Sequence, residues 1–225
     1  MAEQDRSEWT RDVVVRLIRD ERIISVIRTP SRESAEGLID AVIEAGLHLI
    51  EVTLTTPEAA DIIRGRSGNP EICVGAGTVM NPEDAALVID AGARFVIAPY
   101  TDPETVAFCR SRSITVIPGT LTPSEVARAW SLGPDFVKVF PIAAMGGAKY
   151  LRAIRGPLPQ VPIIPTGAGL DRDNIPDLFD AGAVAVGVSD GLATAEEIRE
   201  GRWAPVTERA RDLRAVVEGL GQSGG

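Results

Sequence analysis

Two ionisable side chains lie inside apolar, strand-like segments and are the first candidates for chemistry. The stretch "DFVKVFP" (135–141) places Lys138 among valines and phenylalanines. The chain has 23 Lys plus Arg residues, of which only Lys138 and Lys149 are lysines. A lysine amine can lose its proton near neutral pH and become a nucleophile, whereas arginine effectively cannot. The sequence therefore indicates that position 138 needs an amine and not only a positive charge.

Glu51 is the second candidate, in "HLIEVTL" (48–54). Side chains alternate along a strand, so Glu51 points in the opposite sense to Ile50. Lys138 is the only strand lysine that could be its partner. One interpretation is a buried structural ion pair, although such pairs stabilise folds weakly. The other is a Schiff-base site, in which burial lowers the pKa of the lysine, the neutral amine attacks a ketone and the carboxylate moves protons.

Eight short segments rich in Ile and Val predict the strands that carry these residues. They are nearly continuous in hydrophobicity, which is typical of parallel strands buried on both faces. The segments are 22–28, 48–54, 71–77, 94–99, 114–119, 136–141, 161–167 and 183–188.

Helical segments with clear start and stop signals separate the strands. Ser31 is a predicted N-cap, Pro82 a first helical residue, and Thr122 with Glu125 a capping box. Alanine–glycine pairs end several helices. The alternation predicts a single-domain (β/α)8 TIM barrel over residues 1–225. A doubly wound open sheet is the alternative, but no GxGxxG follows the first strand.

The two ends of the chain carry further predictions. A helix around 8–19 precedes the first strand and is expected to cap the bottom of the barrel. The segment from Ala193 is predicted to be helical, with a disordered tail from about residue 220.

Composition excludes several classes of function. The net charge of -9 argues against a nucleic-acid surface. No apolar run approaches about 20 residues and no signal peptide is recognisable, so no membrane partner is expected. Cys73 and Cys109 lie far apart among apolar residues, which favours a reducing cytoplasm. One histidine and no cluster with metal-ligand spacing predict neither a metal nor another cofactor.

The active site of such a barrel lies at the C-terminal ends of the strands. Arg28 ends the first predicted strand, where a guanidinium can bind a carboxylate through two hydrogen bonds. The alternative is a surface arginine at the mouth of the barrel. Thr78 follows the third strand and could be a site residue or a cap of the next helix.

Seven segments in order resemble the 2-keto-3-deoxy-6-phosphogluconate / 4-hydroxy-2-oxoglutarate (KDPG/KHG) aldolase family. The resemblance covers about residues 22–192. The segments are "IEVTLTTPEA", "VGAGTVMNPEDA", "FVIAPYTDPE", "VIPGTLTPSE", "DFVKVFP", "GPLPQVPIIPTG" and "AVAVGV". The resemblance implies a class I aldolase, an aldehyde-lyase that cleaves a 2-keto-4-hydroxy acid to pyruvate and an aldehyde. It also implies a homotrimeric barrel.

The resemblance also assigns roles by position. Lys138 would form the Schiff base and Glu51 would be the general acid/base. Arg28 and Thr78 would hold the pyruvate carboxylate, with Thr55 nearby. The pocket would be lined by Pro99 and Phe140, and the remaining substrate-binding candidates are Thr166, Gly167, Gly187 and Ser189.

The phosphate end departs from the family pattern. Relatives with phosphorylated substrates usually have "PTGG" and a Gly-Ser pair, where this chain has Ala168 and Ser189-Asp190. A carboxylate about 4 Å from a phosphate costs on the order of several kcal/mol per pair of unit charges at a dielectric of about 20. We therefore expect weakened or absent phosphate binding. Alternatively, the loop shifts by one residue, Ser189 replaces the usual serine and Asp190 points to solvent.

Other functions stay open at this point. The same chemistry could act on an unphosphorylated or specialised 2-keto acid. A sugar-phosphate epimerase would not need the central lysine. A non-catalytic binding module would not need both Lys138 and Glu51.

Overall fold

The computed structural model describes residues 9–222, and the side chains of residues 9–220. Strands and helices alternate along this range. The strands are β1 Ile23–Ile27, β2 Leu49–Thr53, β3 Cys73–Gly77, β4 Phe95–Ile97, β5 Thr115–Ile117, β6 Gly119–Thr120, β7 Val137–Val139, β8 Ile163–Pro165 and β9 Val186–Val188. The helices are α1 Arg11–Glu21, α2 Arg32–Glu44, α3 Ala59–Arg66, α4 Pro82–Asp90, α5 Pro103–Ser111, α6 Pro123–Ser131, α7 Ala148–Arg155, α8 Ile175–Asp180, α9 Ala195–Glu200 and α10 Ala204–Gln222, with a 3-10 turn at Ala143–Met145.

The strands form two parallel sheets. One has the order β5-β4-β3-β2-β1-β9 and the other has the order β6-β7-β8. Each of the eight predicted strand segments contains an observed strand, and the fifth is divided in two at Pro118. Proline has no N–H group to donate to a ladder, which accounts for the break. The architecture is an α/β fold in which a parallel sheet forms a half-barrel.

The helices begin where the sequence predicts. The side chains of Ser31 and Asn81 cap α2 and α4, and Thr122 with Glu125 forms a capping box on α6. The first helix lies slightly later than predicted, because Thr10 caps it and Arg22 ends it in a left-handed conformation. None of the helices within residues 9–222 combines the length and the apolar character needed to cross a bilayer.

The C-terminal segment is helical from Ala195, as predicted, in α9 and α10. The predicted disordered tail from about residue 220 begins within the last turn of α10. Its final residues, 223–225, lie outside the described residues.

Alternate side chains of each strand enter two different cores. The larger core lies between the strands and the helices and includes Ile50 and Val52 of β2. The smaller core includes Leu49, Phe95 and Phe136, and it is covered by α1. We call the strand face that carries this smaller core the inner face. Glu51 has the same parity as Leu49 and therefore belongs to the inner face.

Candidate active site

Lys138 and Glu51 are both buried on the inner face. Lys138 lies at the centre of β7 and is 6% exposed, and Glu51 lies at the centre of β2 and is 1% exposed. No ion pair within 4.0 Å joins them in the described part of the chain. The Oε2 atom of Glu51 also has no hydrogen-bond partner among those residues. The two groups therefore interact electrostatically at a longer distance. They do not form the direct structural ion pair that was one interpretation of the sequence.

Their environment shifts the pKa of each group in the direction that favours its neutral form. Burial lowers the pKa of Lys138; the Glu51 carboxylate opposes this shift and the Arg28 guanidinium adds to it. Burial raises the pKa of Glu51, against the opposing effects of Lys138 and Arg28. The lowered lysine pKa is the direction predicted from the sequence. Burial therefore increases the fraction of Lys138 that is unprotonated at a given pH.

Gly77 makes the space in which the Glu51 carboxylate lies. It is paired with Thr53 in the β2–β3 register, and a Cβ at this position would overlap Oε1 of Glu51. Gly77 is not among the site residues predicted from the sequence. The available signal was "GAG" in a strand, because two glycines at alternate positions remove side chains from a single face.

Arg28 joins the ends of three neighbouring strands. Its Nη1 donates to Thr55 Oγ1 at 2.7 Å and its Nη2 donates to Thr78 Oγ1 at 3.1 Å. Asn81, and not Thr78, caps α4. The structure thus brings Arg28, Thr55 and Thr78 together as predicted, and the helix-cap interpretation of Thr78 is wrong.

Buried threonines support this group from below. Thr53 Oγ1 donates to the Ile27 carbonyl at 3.1 Å and lies 3.0 Å from Thr55 Oγ1. Thr56 Oγ1 also donates to the Ile27 carbonyl and accepts from the Thr29 N–H. Thr53 and Thr56 have no predicted role, because their contacts depend on the pairing of β1 with β2.

Pro99 and Phe140 line a common cavity of about 450 Å³. The Phe140 ring centroid lies 5.0 Å from Lys138 Nζ, and the ring is 39% exposed. Phe140 therefore lies both in the cavity wall and beside the lysine. Other residues of this cavity include Tyr100, Gly119, Thr120 and Leu121.

Three of the four remaining predicted site residues lie in the loops that follow β8 and β9, and the fourth, Gly187, lies in β9 itself. An isolated parallel bridge joins Thr166, after β8, to Gly187 of β9. A Cβ at Gly187 would lie 2.8 Å from Thr166 Oγ1, so the glycine permits this approach. Gly167 continues the first loop and half-buried Ser189 begins the second.

Asp190 connects these two loops. Asp190 is exposed to solvent. Both oxygens of its carboxylate nevertheless lie 3.0 Å from the backbone nitrogen of Gly169, whose N–H donates to them. The carboxylate thus faces the 166–169 loop and accepts a hydrogen bond from a backbone N–H group there. The predicted alternative, in which Asp190 turns to solvent, does not describe this contact.

Metal-binding clusters are not found in residues 9–222, where no three His, Cys, Asp or Glu side chains could together hold an ion. The single histidine, His48, contacts Glu21 through Nδ1 at 2.7 Å.

Comparison with known proteins gives consistent matches over most of the chain. The family model described as KDPG and KHG aldolase matches residues 14–209. The KHG/KDPG aldolase of Escherichia coli K12 is 36% identical over 198 residues, which are 88% of this chain and 91% of that protein.

Solved structures with the same fold include two with relevant ligands. A KDPG aldolase from Legionella pneumophila, with pyruvate captured as a covalent carbinolamine intermediate, is 31% identical with a TM-score of 0.80 over 88% of this chain and 97% of that one. The Zymomonas mobilis ZM4 aldolase with 3-phosphoglycerate is 26% identical with a TM-score of 0.80, covering 92% and 95% of the two chains. The family model covers most of the chain, and the Escherichia coli relative is 36% identical over 88% of it, so this chain belongs to the KDPG and KHG aldolase family.

Proposed function

We propose that the protein is a class I aldolase that cleaves a 2-keto-4-hydroxy acid to pyruvate and an aldehyde. The observation that carries this proposal is the buried amine of Lys138, with its lowered pKa, on the same inner face as the unpartnered carboxylate of Glu51. The names of the relatives and the covalent pyruvate adduct of the Legionella enzyme support it.

The proposed reaction begins when the neutral amine of Lys138 attacks the C2 carbonyl of the substrate. The resulting carbinolamine loses water and becomes an iminium. Glu51 then removes the proton of the C4 hydroxyl, and the C3–C4 bond breaks with its electron pair moving toward the iminium. The products of this step are an enamine on Lys138 and a free aldehyde. Protonation of the enamine carbon and hydrolysis release pyruvate and restore the amine.

Arg28, Thr55 and Thr78 are proposed to hold the substrate carboxylate. Arg28 already donates to both threonines at the ends of neighbouring strands. A guanidinium with adjacent hydroxyl donors suits a planar carboxylate. Pro99 and Phe140 would form the apolar wall beside the reacting carbons, because Phe140 lies next to Lys138.

Closure of the sheets into a complete (β/α)8 barrel is part of the proposal. Only Pro118 separates β5 from β6, and the Thr166–Gly187 bridge connects the ends of β8 and β9. The packing of Val14 and Ile18 of α1 in the smaller core supports a capping role for that helix. Within this scheme Thr166, Gly167, Gly187 and Ser189 would border the distal end of the substrate.

The proposed setting is a cytoplasmic homotrimer whose ligand is a small 2-keto acid. The trimer rests on the family resemblance. The cytoplasmic location is supported by two free, buried cysteines, Cys73 and Cys109, which suit a reducing compartment.

Trapping with pyruvate and borohydride tests the proposed function. The two lysines of the chain provide a matched pair of variants, because Lys138 is buried and Lys149 is exposed on α7. We expect a reduced adduct, detected by intact mass and peptide mapping, in the wild type and in Lys149→Met but not in Lys138→Met. An unchanged mass of the wild type, or an adduct in folded Lys138→Met, would refute the Schiff-base function.

A further inference from the structure

We propose that Asp190 is a specificity-determining residue and that the aldehyde-derived end of the substrate is uncharged and hydroxylated. This inference rests on the proposed aldolase function. It concerns only the end of the substrate that leaves as the aldehyde, and pyruvate lacks that end.

The first observation is that a carboxylate of the protein occupies a potential anion contact. Gly169 has φ 77 and points its N–H toward Asp190, at 3.0 Å from both carboxylate oxygens. A backbone N–H exposed in such a loop is a natural donor to an anionic ligand. Here the chain supplies the anion itself, so a second anion would have to displace Asp190 or lie beside it.

The second observation is that the charge of Asp190 is not compensated. Within residues 9–220 no Lys or Arg side chain forms an ion pair with Asp190. Arg28, which follows the neighbouring strand β1, instead donates to Thr55 and Thr78 after β2 and β3. The site therefore has a cationic side at β1–β3 and an anionic side at the β8 and β9 loops.

This arrangement selects one orientation and one class of substrate. The carboxylate of the keto acid binds at Arg28, and the distal end extends past Lys138 toward Asp190. A carboxylate retains free lone pairs after accepting one N–H and can accept a hydroxyl hydrogen of the substrate. A phosphate dianion at the same place would meet a like charge at short distance. The arrangement thus favours a substrate with a neutral polyol end over its phosphorylated counterpart.

The experiment compares cleavage of 2-keto-3-deoxygluconate and 2-keto-3-deoxy-6-phosphogluconate. We expect the wild type to favour the unphosphorylated acid in kcat/KM by about tenfold or more, because of the like-charge contact. Asp190→Asn keeps an acceptor for the Gly169 N–H and removes the charge. It should shift the ratio toward the phosphorylated acid by about tenfold, mainly through KM for that substrate.

Asp173→Asn is the matched control, because it removes one exposed carboxylate from the adjacent 171–174 turn without touching Gly169. Its substrate ratio should equal that of the wild type. A wild-type preference for the phosphorylated acid, or a ratio that Asp190→Asn leaves unchanged, overturns the inference.

Pyruvate trapping separates the two levels of the proposal. If pyruvate is trapped on Lys138 but neither sugar acid is cleaved, the aldolase function stands and the neutral-polyol inference falls. If pyruvate is not trapped, the function falls and the inference with it.

Discussion

Glu51 depends on the absence of a side chain at position 77. A methyl group there would overlap Oε1 of Glu51, so Gly77→Ala should displace the carboxylate. We expect kcat for aldol cleavage to fall by about 10²-fold, which is typical for loss of a positioned acid/base group. Trapping of pyruvate by Lys138 should fall less, since the amine itself is not moved. Steady-state cleavage and single-turnover trapping measure the two effects.

A compensating change makes this prediction specific. Glu51→Asp in the Gly77→Ala background shortens the side chain by one methylene and should restore part of kcat. Gly65→Ala in α3 is the control, because no atom lies within 4 Å of its added Cβ. Equal losses in Gly77→Ala and in the double variant would show that Gly77 does not act through Glu51.

Glu51 also gives the stability of the protein a defined pH dependence. Its pKa is raised in the folded state above the ordinary 4.5, so the folded state binds more protons than the unfolded state above that pH. The contribution of Glu51 to the free energy of unfolding is complete below pH 4.5. It is lost as the pH rises through the pKa of Glu51 in the folded state. Glu51→Gln lacks this loss, so its unfolding free energy relative to the wild type should increase as the pH rises above 4.5.

Urea unfolding of both proteins at several pH values measures this difference. A relative stability of Glu51→Gln that stays constant or decreases with pH would contradict the burial argument.

At the residue scale, the sequence was sufficient to select Lys138 and Glu51 as candidates because a charged residue in an apolar strand is conspicuous. It was sufficient to place Arg28 at the end of a strand because such an end is recognisable. Gly77 and Thr53 could not be assigned in this way. Their roles depend on which atoms of the neighbouring strand face them, and that register appears only in the folded sheet.

At the scale of elements, an ion pair between Glu197 and Arg209 joins α9 to α10. Arg209 donates to both oxygens of the buried carboxylate of Glu197 at 2.8 and 3.0 Å, and lowers the pKa of Glu197 to about 2. A carboxyl with a lowered folded pKa contributes stability above the ordinary 4.5, and loses it as the pH falls toward about 2.

Arg209→Met should therefore destabilise the protein at neutral pH by roughly 1–2 kcal/mol, a modest value because Arg209 is partly open to solvent. The loss should shrink in acid, where Glu197 is protonated in both variants. Arg202→Met is the control, since Arg202 pairs only with exposed carboxylates, those of Glu196 and Glu200. Denaturant titrations at neutral and acidic pH give the comparison, and a pH-independent loss would argue against the pair.

The sequence predicted the elements more securely than their lengths. Caps such as Ser31 and Thr122 are local signals, so the helix starts agree with the structure. The position at which a strand ends is not set by a local signal, because a residue belongs to a strand only where an adjacent strand pairs with it. The predicted strand 136–141 is observed as Val137–Val139. The predicted strand 114–119 is divided at Pro118 into β5 and β6.

At the scale of the whole molecule, we expect a homotrimer. Sedimentation equilibrium should give a mass about three times that of the 23.9 kDa chain. Exposed apolar side chains, Met80, Leu87 and Tyr100, leave surface that association could cover. A single species of 23.9 kDa across a wide concentration range would exclude the trimer.

The family and the order of elements could be predicted from the sequence because seven motifs occur in register. Closure of the sheets into a barrel, which the alternation of strands and helices predicts, stays a prediction, because it depends on contacts between strands far apart in the chain, such as those near Thr166 and Gly187. Periodicity describes each strand alone and carries no information on which strands meet.

The scarcity of lysine has a consequence for the chemical durability of the protein. Free aldehydes modify unprotonated amines by slow glycation, and lysines are the usual targets on a protein surface. Here arginine supplies nearly all the positive charge, and Lys149 is the one exposed lysine in the chain. A protein that releases aldehydes would thus present its own product with a single reactive lysine outside the active site, which would limit self-inactivation during turnover.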